Sequence, residues 1–240
     1  MRRWQTAARL TAPGCHPVCC DANHPLPFAN DAFSMAVLSD AFPYIWHKRL
    51  LAGELMRLTG PDGVVVMPHL HSSLGWNHSA GMPLTPAAYA DLFAPLQPRL
   101  FRDGDLLTSV LDREAADLTR AVTAADLEAE NALTLVASRD ASLFREYTLP
   151  AATAVSGALV VNPLYHVART GVATTLTLTF PTPEYADEFG GCRRYLPESL
   201  VVEADLTGVL DATTLETALG AEYQSLRRRR VLLDVPPHYC

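Results

Sequence analysis

The stretch from Phe33 to Leu70 constrains the fold more than any other part of this 240-residue chain. It opens with "FSMAVLSD", an apolar run ending on Ser39 and Asp40, passes through "HKRLLAGELMRL", and breaks at "TGPDG" before "VVVMPHL". Two continuous apolar runs separated by a helix-length segment read as strand, helix, strand. Strands of that kind are buried on both faces and pair in parallel beneath helices that cover the sheet. The helix is expected from about Ile45 to Leu58. Upstream, "HPVCCD" reads as a further strand, led in by a short helix over about residues 2 to 12, so residues 1 to about 72 are expected to be α/β.

Further along, Thr85 is placed to cap a helix "PAAYADLFAPL" with Pro86 in its first turn. Residues 105 to 131 read as helical through the spacing of Leu106, Val110, Leu111, Leu118 and Val122, and "ALTLVAS" reads as a strand. The remaining hundred residues are richer in strands ("ALVVNPLYHVA", "ATTLTLTF", "SLVVEADL", "VLLDVPP"), with helices at "PEYADEF" and before the Arg227 to Arg230 run. The expected organisation is an α/β domain over 1–100, then a helical segment and a β-rich α+β extension over 101–240.

An apolar share of 49% suffices for a buried core, and 19% charged residues argues against disorder. A net charge of −7 argues against a sequence-independent grip on nucleic acid, which needs a basic face. The cluster Arg227 to Arg230 closes a helix, where cations complement the dipole. No apolar run approaches the roughly 18 residues that span a bilayer, so no membrane association is expected. The start "MRRWQTAARLTAPG" has a basic opening without the apolar centre of a signal peptide. Five Cys without a disulfide spacing fit a reducing compartment, and a cytoplasmic location is expected.

The order of an Asp at a strand end, "LPF", "DAFSMAVLSDAF", a helix with "ELMRL", "GPDG" and "VVVM" resembles class I S-adenosylmethionine-dependent methyltransferases of the small-molecule, type 11-like group. The resemblance covers roughly residues 1 to 95. It implies an incomplete Rossmann-like methyltransferase sheet, S-adenosylmethionine as cofactor, and a small-molecule or glycan-precursor acceptor. Carried over residue by residue, it puts Asp21 against the adenine amino group and Ala22 against the ring. Ser39, Asp40 and Ala41 then face the methyl donor. Ligands of open α/β sheets bind beyond the carboxyl ends of the strands, and Asp21 and Asp40 also suit turns and helix caps.

The chain departs from the family at its beginning. The G-x-G-x-G turn beside the methionine moiety and the acidic residue that holds the ribose are both missing: Gly14 is the one glycine before position 53, and Gly-x-Gly occurs nowhere. In the family's strand order, 3-2-1-4-5-7-6, the absent strands one and two lie between the two that open this chain. Unpaired strand edges need a partner. The Cys19-Cys20 strand closes the gap, or a partner chain supplies the strands through a homo- or hetero-oligomer, or the chain is an N-terminally truncated product. An active methyltransferase and an inactive, partner-dependent relative both remain open.

"HLHSSLGWNH" carries His69, His71 and His78, and H-x-H on a strand sets two rings on one face. No carboxylate lies nearby in sequence, so an acceptor pocket or ordinary packing is preferred to a metal. His71 is the candidate general base toward an acceptor hydroxyl or amine, and Tyr44, His69, Trp76 and Asn77 are candidate substrate contacts. Cys19 and Cys20 would point to opposite faces of a strand and cannot easily share a metal; buried thiols are expected. Asn162 and Tyr165 in "NPLY" read as a turn.

Overall fold

The computed structural model describes residues 14–76, 81–149 and 157–235. The helix expected over 2 to 12, and Asn77 and His78, lie outside them. The chain forms two compact units, one of Cys20–Leu149 and one of Pro150–Cys240 with Met1–Cys19. The boundary expected at residue 100 falls inside a strand of the first unit.

In the first unit, β1 (Met35–Val37), α1 (Lys48–Thr59) and β2 (Val64–His71) form the expected crossover, with β1 parallel to β2. There follow α2 (Pro86–Leu92), β3 (Pro98–Arg102), α3 (Asp103–Arg113), β4 (Ala115–Asp117), β5 (Ala132–Ala137) and β6 (Glu146–Thr148). The main sheet has the order β1-β2-β5-β3, with β5 antiparallel to both neighbours, and β4 pairs with β6. The sheet is therefore mixed α/β with one parallel pair, not the parallel sheet expected. The reason is that the last long strand, β5, slots between β2 and β3, so the strand that follows α2 does not lie beside β2.

Two further expectations fail. Residues 16 to 21 form no strand, and Cys15, Cys19 and Cys20 are exposed rather than buried. An apolar run becomes a strand only where a partner takes its backbone groups, and among the described residues this one has none in the main sheet. The expected helix over 105 to 131 stops at Arg113: Glu114 takes a left-handed conformation (φ 52°), after which the chain turns into β4. Leu118 and Val122 keep their apolar roles outside a helix, and the Val122 N–H donates to the Leu100 carbonyl at 2.8 Å.

α2 forms as its sequence dictates. Thr85 accepts a hydrogen bond from the Ala88 N–H through its side chain, and Pro86 opens the helix. Thr85→Ala should cost about 1 kcal/mol in urea unfolding, whereas Thr85→Ser, which keeps the acceptor, should cost little.

The two faces of the sheet differ. Val65, Met67, Leu70, Leu133, Leu135 and Ala137 point to one side and pack with Leu51 and Leu55 of α1 and Tyr89 of α2. On the other side Val64, Val66 and Val136 meet Phe101, Leu106 and Leu118 in a smaller cluster. At the open edge, Met35 and Val37 of β1 are 49% and 56% exposed.

The second unit is α+β with its own core. β7 (Ala158–Val161) pairs with β11 (Leu232–Val235), and β8 (Tyr165–Thr170), β9 (Ala173–Leu178) and β10 (Ser199–Val202) form an antiparallel sheet in the order β10-β9-β8. Helices α4 (Pro183–Phe189), α5 (Ala212–Leu219) and α6 (Ala221–Arg228) accompany them. Leu176, Val202, Tyr223 and Leu232 centre its core. "NPLY" is a turn, as expected, in which the Asn162 side chain accepts from the Leu164 N–H. Among the described residues no helix is long and apolar enough to cross a membrane.

Candidate functional site

Proline cannot donate to a strand ladder, so Pro68 inside β2 already marks a break. The pairing of β2 with β5 is regular to Met67–Leu135 and resumes at Leu70–Leu133, leaving Pro68 and His69 as a bulge opposite Thr134. His69 sits there at φ 56°, a left-handed conformation that few non-glycine residues adopt. The bulge keeps Leu70 in the core and turns His69 to the other face, with Val64 and Val66. At the end of β1, Asp40 is also left-handed (φ 46°), and its N–H donates to the Pro68 carbonyl. Bulges and backbone strain of this kind concentrate at functional sites.

Two histidine–carboxylate pairs result. His71 Nε2 lies 2.9 Å from Asp40 Oδ1, and His69 Nδ1 lies 2.9 Å from Asp103 Oδ2. The two imidazoles meet edge to face, with centroids 5.2 Å apart. A carboxylate accepts, so Nδ1 of His69 and Nε2 of His71 are the protonated nitrogens. Asp103 Oδ1 also accepts from Thr134 Oγ1 (2.6 Å) and from the His69 N–H (3.2 Å). Burial pushes the Asp103 carboxyl upward, but the hydrogen bonds from His69 and Thr134, with the charge of His69, hold it below its ordinary value.

The sequence missed Asp103 and Thr134. Asp103 opens α3, where an acid suits the helix dipole, and nothing local tells that it reaches a histidine 34 residues away. The expectation of no carboxylate near the histidines held in sequence but fails in space.

The expected site residues separate into those brought together and those left apart. Asp40, His71 and His69 converge, with Ser39 and Ala41 flanking Asp40. His71 is only 1% exposed and Asp40 48%, so Asp40 is the member of that pair that faces outward. The His71 carbonyl is held by the Tyr89 hydroxyl at 2.9 Å, whose pKa burial pushes up to about 12. Asp21 sits apart, in an Asx turn: its Oδ1 accepts from both the N–H and the side-chain amide of Asn23, which lower its pKa. Ala22 packs against the main core. Tyr44 and Trp76 are exposed, and the Tyr44 ring lies against Gly81, where φ is +65° and a Cβ would meet the ring at 2.8 Å.

A groove of about 540 Å³ on the second face of the sheet has His69, Asp103 and Thr134 in its otherwise largely apolar lining. A larger cleft of about 690 Å³ beside Trp46, Lys48 and Asp91 gathers no such cluster, and Lys48 Nζ there donates to the carbonyls of Pro43 and Ile45. An apolar groove with a few convergent polar groups is the better binding candidate. Chemically, the strand ends offer an outward carboxylate backed by a buried imidazole, and an imidazole oriented by a carboxylate to take up or release a proton. In comparisons with known proteins, no family model matches the chain and no curated protein matches its sequence.

Proposed function

We propose that the chain is a methyltransferase-like protein of the cytoplasm in which Asp40 faces the methyl donor and His69 and His71 lie on the acceptor side. Under this reading S-adenosylmethionine is the donor and a small molecule or glycan precursor the acceptor. The supporting observation is the strand order. β1-β2-β5-β3 runs in the order expected of the last four strands, 4-5-7-6, of the sheet that the sequence resembles. Asp40 then stands at the end of the strand expected to face the reacting methyl. Catalysis would be mainly alignment of donor and acceptor, with Asp40 and His71 taking the acceptor proton.

A second reading has its own observation. Among the described residues no strand pairs with the outer edge of β1, which carries exposed Met35 and Val37, and this favours an inactive protein or subunit whose sheet a partner completes.

Calorimetric titration with S-adenosylhomocysteine separates the two. Binding by the chain alone, weakened about tenfold by Asp40→Asn, is expected of the first reading; the factor corresponds to one charge-assisted hydrogen bond. A folded chain that gives no heat would sink the first reading and leave the second.

A further inference from the structure

The cleft of about 690 Å³ between α1 and α2 lacks the histidine–carboxylate pairs of the strand ends, and its groups are of another kind. Trp46, Lys48, Arg49 and Gly53 line it from the α1 side, and Ala88 and Asp91 from α2. Among the described residues no carboxylate pairs with Lys48 or Arg49, although acidic residues outnumber basic ones in Cys20–Leu149 and Arg57, Arg102, Arg113 and Arg120 each have an acidic partner. Lys48 is held in place all the same. Its Nζ donates to the Pro43 and Ile45 carbonyls at 3.1 and 2.7 Å, which engages two of its three donors without neutralising the charge, and burial lowers its pKa. Asp91 faces the same cleft and makes no ion pair with either cation.

Helix stabilisation does not account for the two cations. Both stand in the first turn of α1, which carries no acidic residue, and positive charge there opposes the helix dipole. Gly53 is equally out of place for stability, because glycine inside a helix is less favourable than any residue but proline. A Cβ there would meet nothing within 4 Å, so crowding does not demand the glycine; its effect is to leave the cleft open down to the helix backbone. Beside that opening Trp46 is 74% exposed, and among the described residues its ring stacks on no other. An exposed indole is a stacking platform for a planar apolar body, and uncompensated cations next to it favour an anionic head.

We infer that this cleft binds a small planar aromatic anion, a carboxylate or a phosphate ester, with its rings against Trp46 and the bare helix surface at Gly53 and its head at Lys48 and Arg49. The site shares no residue with the strand-end cluster and needs no methyl donor, so it goes beyond the methyl-transfer reading and stands or falls apart from it.

The test is equilibrium binding of four probes without any methyl donor: 2-naphthoate, 2-naphthyl phosphate, the neutral 2-naphthamide and the cationic 2-naphthylmethylammonium. At least one of the two anions should bind about tenfold more tightly than the amide, the worth of one charge-assisted hydrogen bond, and the tighter of the two identifies the head. Arg49→Gln, at an exposed position, should remove most of that preference and leave the affinity of the amide unchanged. Asp91→Asn should tighten anion binding about twofold by removing a like charge. Gly53→Leu should weaken every probe at least tenfold by filling the cleft while the helix keeps its stability, whereas Leu107→Glu, in the groove on the other face of the sheet, should change nothing. Equal binding of the amide and both anions would overturn the inference. So would the ammonium probe binding tightest, which would make Asp91 the recognising group. Binding that survives Gly53→Leu and is lost in Leu107→Glu would place the ligand on the other face, and a folded chain that binds no probe at millimolar concentration would show the cleft to be ordinary surface.

Discussion

Leu135→Ala is expected to lower the unfolding free energy by about 3 to 5 kcal/mol, and Val136→Ala, one residue further along the same strand, by only about 1 to 2 kcal/mol. Both side chains are almost fully buried on β5, the strand paired on both sides. Their surroundings differ. Leu135 points into the large cluster with Met67, Leu70, Leu51 and Tyr89, where a deleted isobutyl group leaves a cavity that neighbours on two helices cannot fill. Val136 faces the groove side, in a small cluster beside open space, so little close packing is lost and the walls can relax. Urea unfolding followed by tryptophan fluorescence in a Trp4→Phe background reads the right unit, because the two remaining tryptophans, Trp46 and Trp76, both lie within 20–149. Equal costs for the two variants would mean that the groove is as tightly packed as the core.

The contrast between the faces also explains how much of the fold could be read in advance. β1, α1, β2 and α2 announce themselves through short-range signals: apolar runs, the break at "GPDG", and Thr85 with Pro86. β3 does not, because Arg99 and Arg102 interrupt its apolar residues and reach partners far away in sequence. Arg99 stacks on the Phe144 ring at 3.8 Å and Arg102 pairs with Glu130. "HPVCCD" carried the right composition for a strand, yet composition does not supply a neighbouring strand, and without one the segment stays irregular. The insertion of β5 between β2 and β3 is a property of long-range pairing that no window of sequence holds.

The site divides in the same way. Asp40 and His71 were legible because each stands at the end of an apolar run, where α/β sheets place their chemistry. That they would meet each other at 2.9 Å was not. The H-x-H spacing suggested neighbouring rings, and they are neighbours. Pro68 was the one local signal of the bulge that redirects His69. Asp103 and Thr134 complete the cluster through the start of a helix and the middle of a strand, both more than thirty residues from the bulge. Asp21, by contrast, satisfies its oxygens within its own turn, so the structure gives it a local role that the resemblance did not.

The segment from Asp21 to Asp31 is tied down by polar bonds that converge on two residues of α1, and Arg57→Ala should release it. Arg57 donates to the carbonyls of Leu26 and Phe28 and to the Asn30 side chain, and makes two bonds of 2.7 and 2.8 Å to Glu54. Glu54 in turn accepts from the Leu26 N–H at 2.7 Å. The two side chains are 29% and 13% exposed, so the pair is screened from water more than a surface salt bridge is. Removing the cation strands a partly buried carboxylate and three acceptors, and a loss of about 2 to 3 kcal/mol is expected, with faster hydrogen exchange at Leu26 and Phe28. The acid limb of stability reports the same pair. The hydrogen bonds from Arg57, foremost, hold Glu54 at about 2 against an ordinary 4.5. A carboxyl lowered on folding stabilises fully above its unfolded pKa, and the contribution fades as pH falls through its folded pKa. The wild-type chain should therefore lose stability between pH 4.5 and about 2. Glu54→Gln should flatten part of that slope, leaving the parts due to Asp117, which the Thr119 hydroxyl holds at about 2, and to the other lowered carboxyls such as Asp103 and Asp126. An acid limb unchanged by Glu54→Gln would show that the pair does not anchor the segment, and the loss in Arg57→Ala would then have to come from the backbone carbonyls alone.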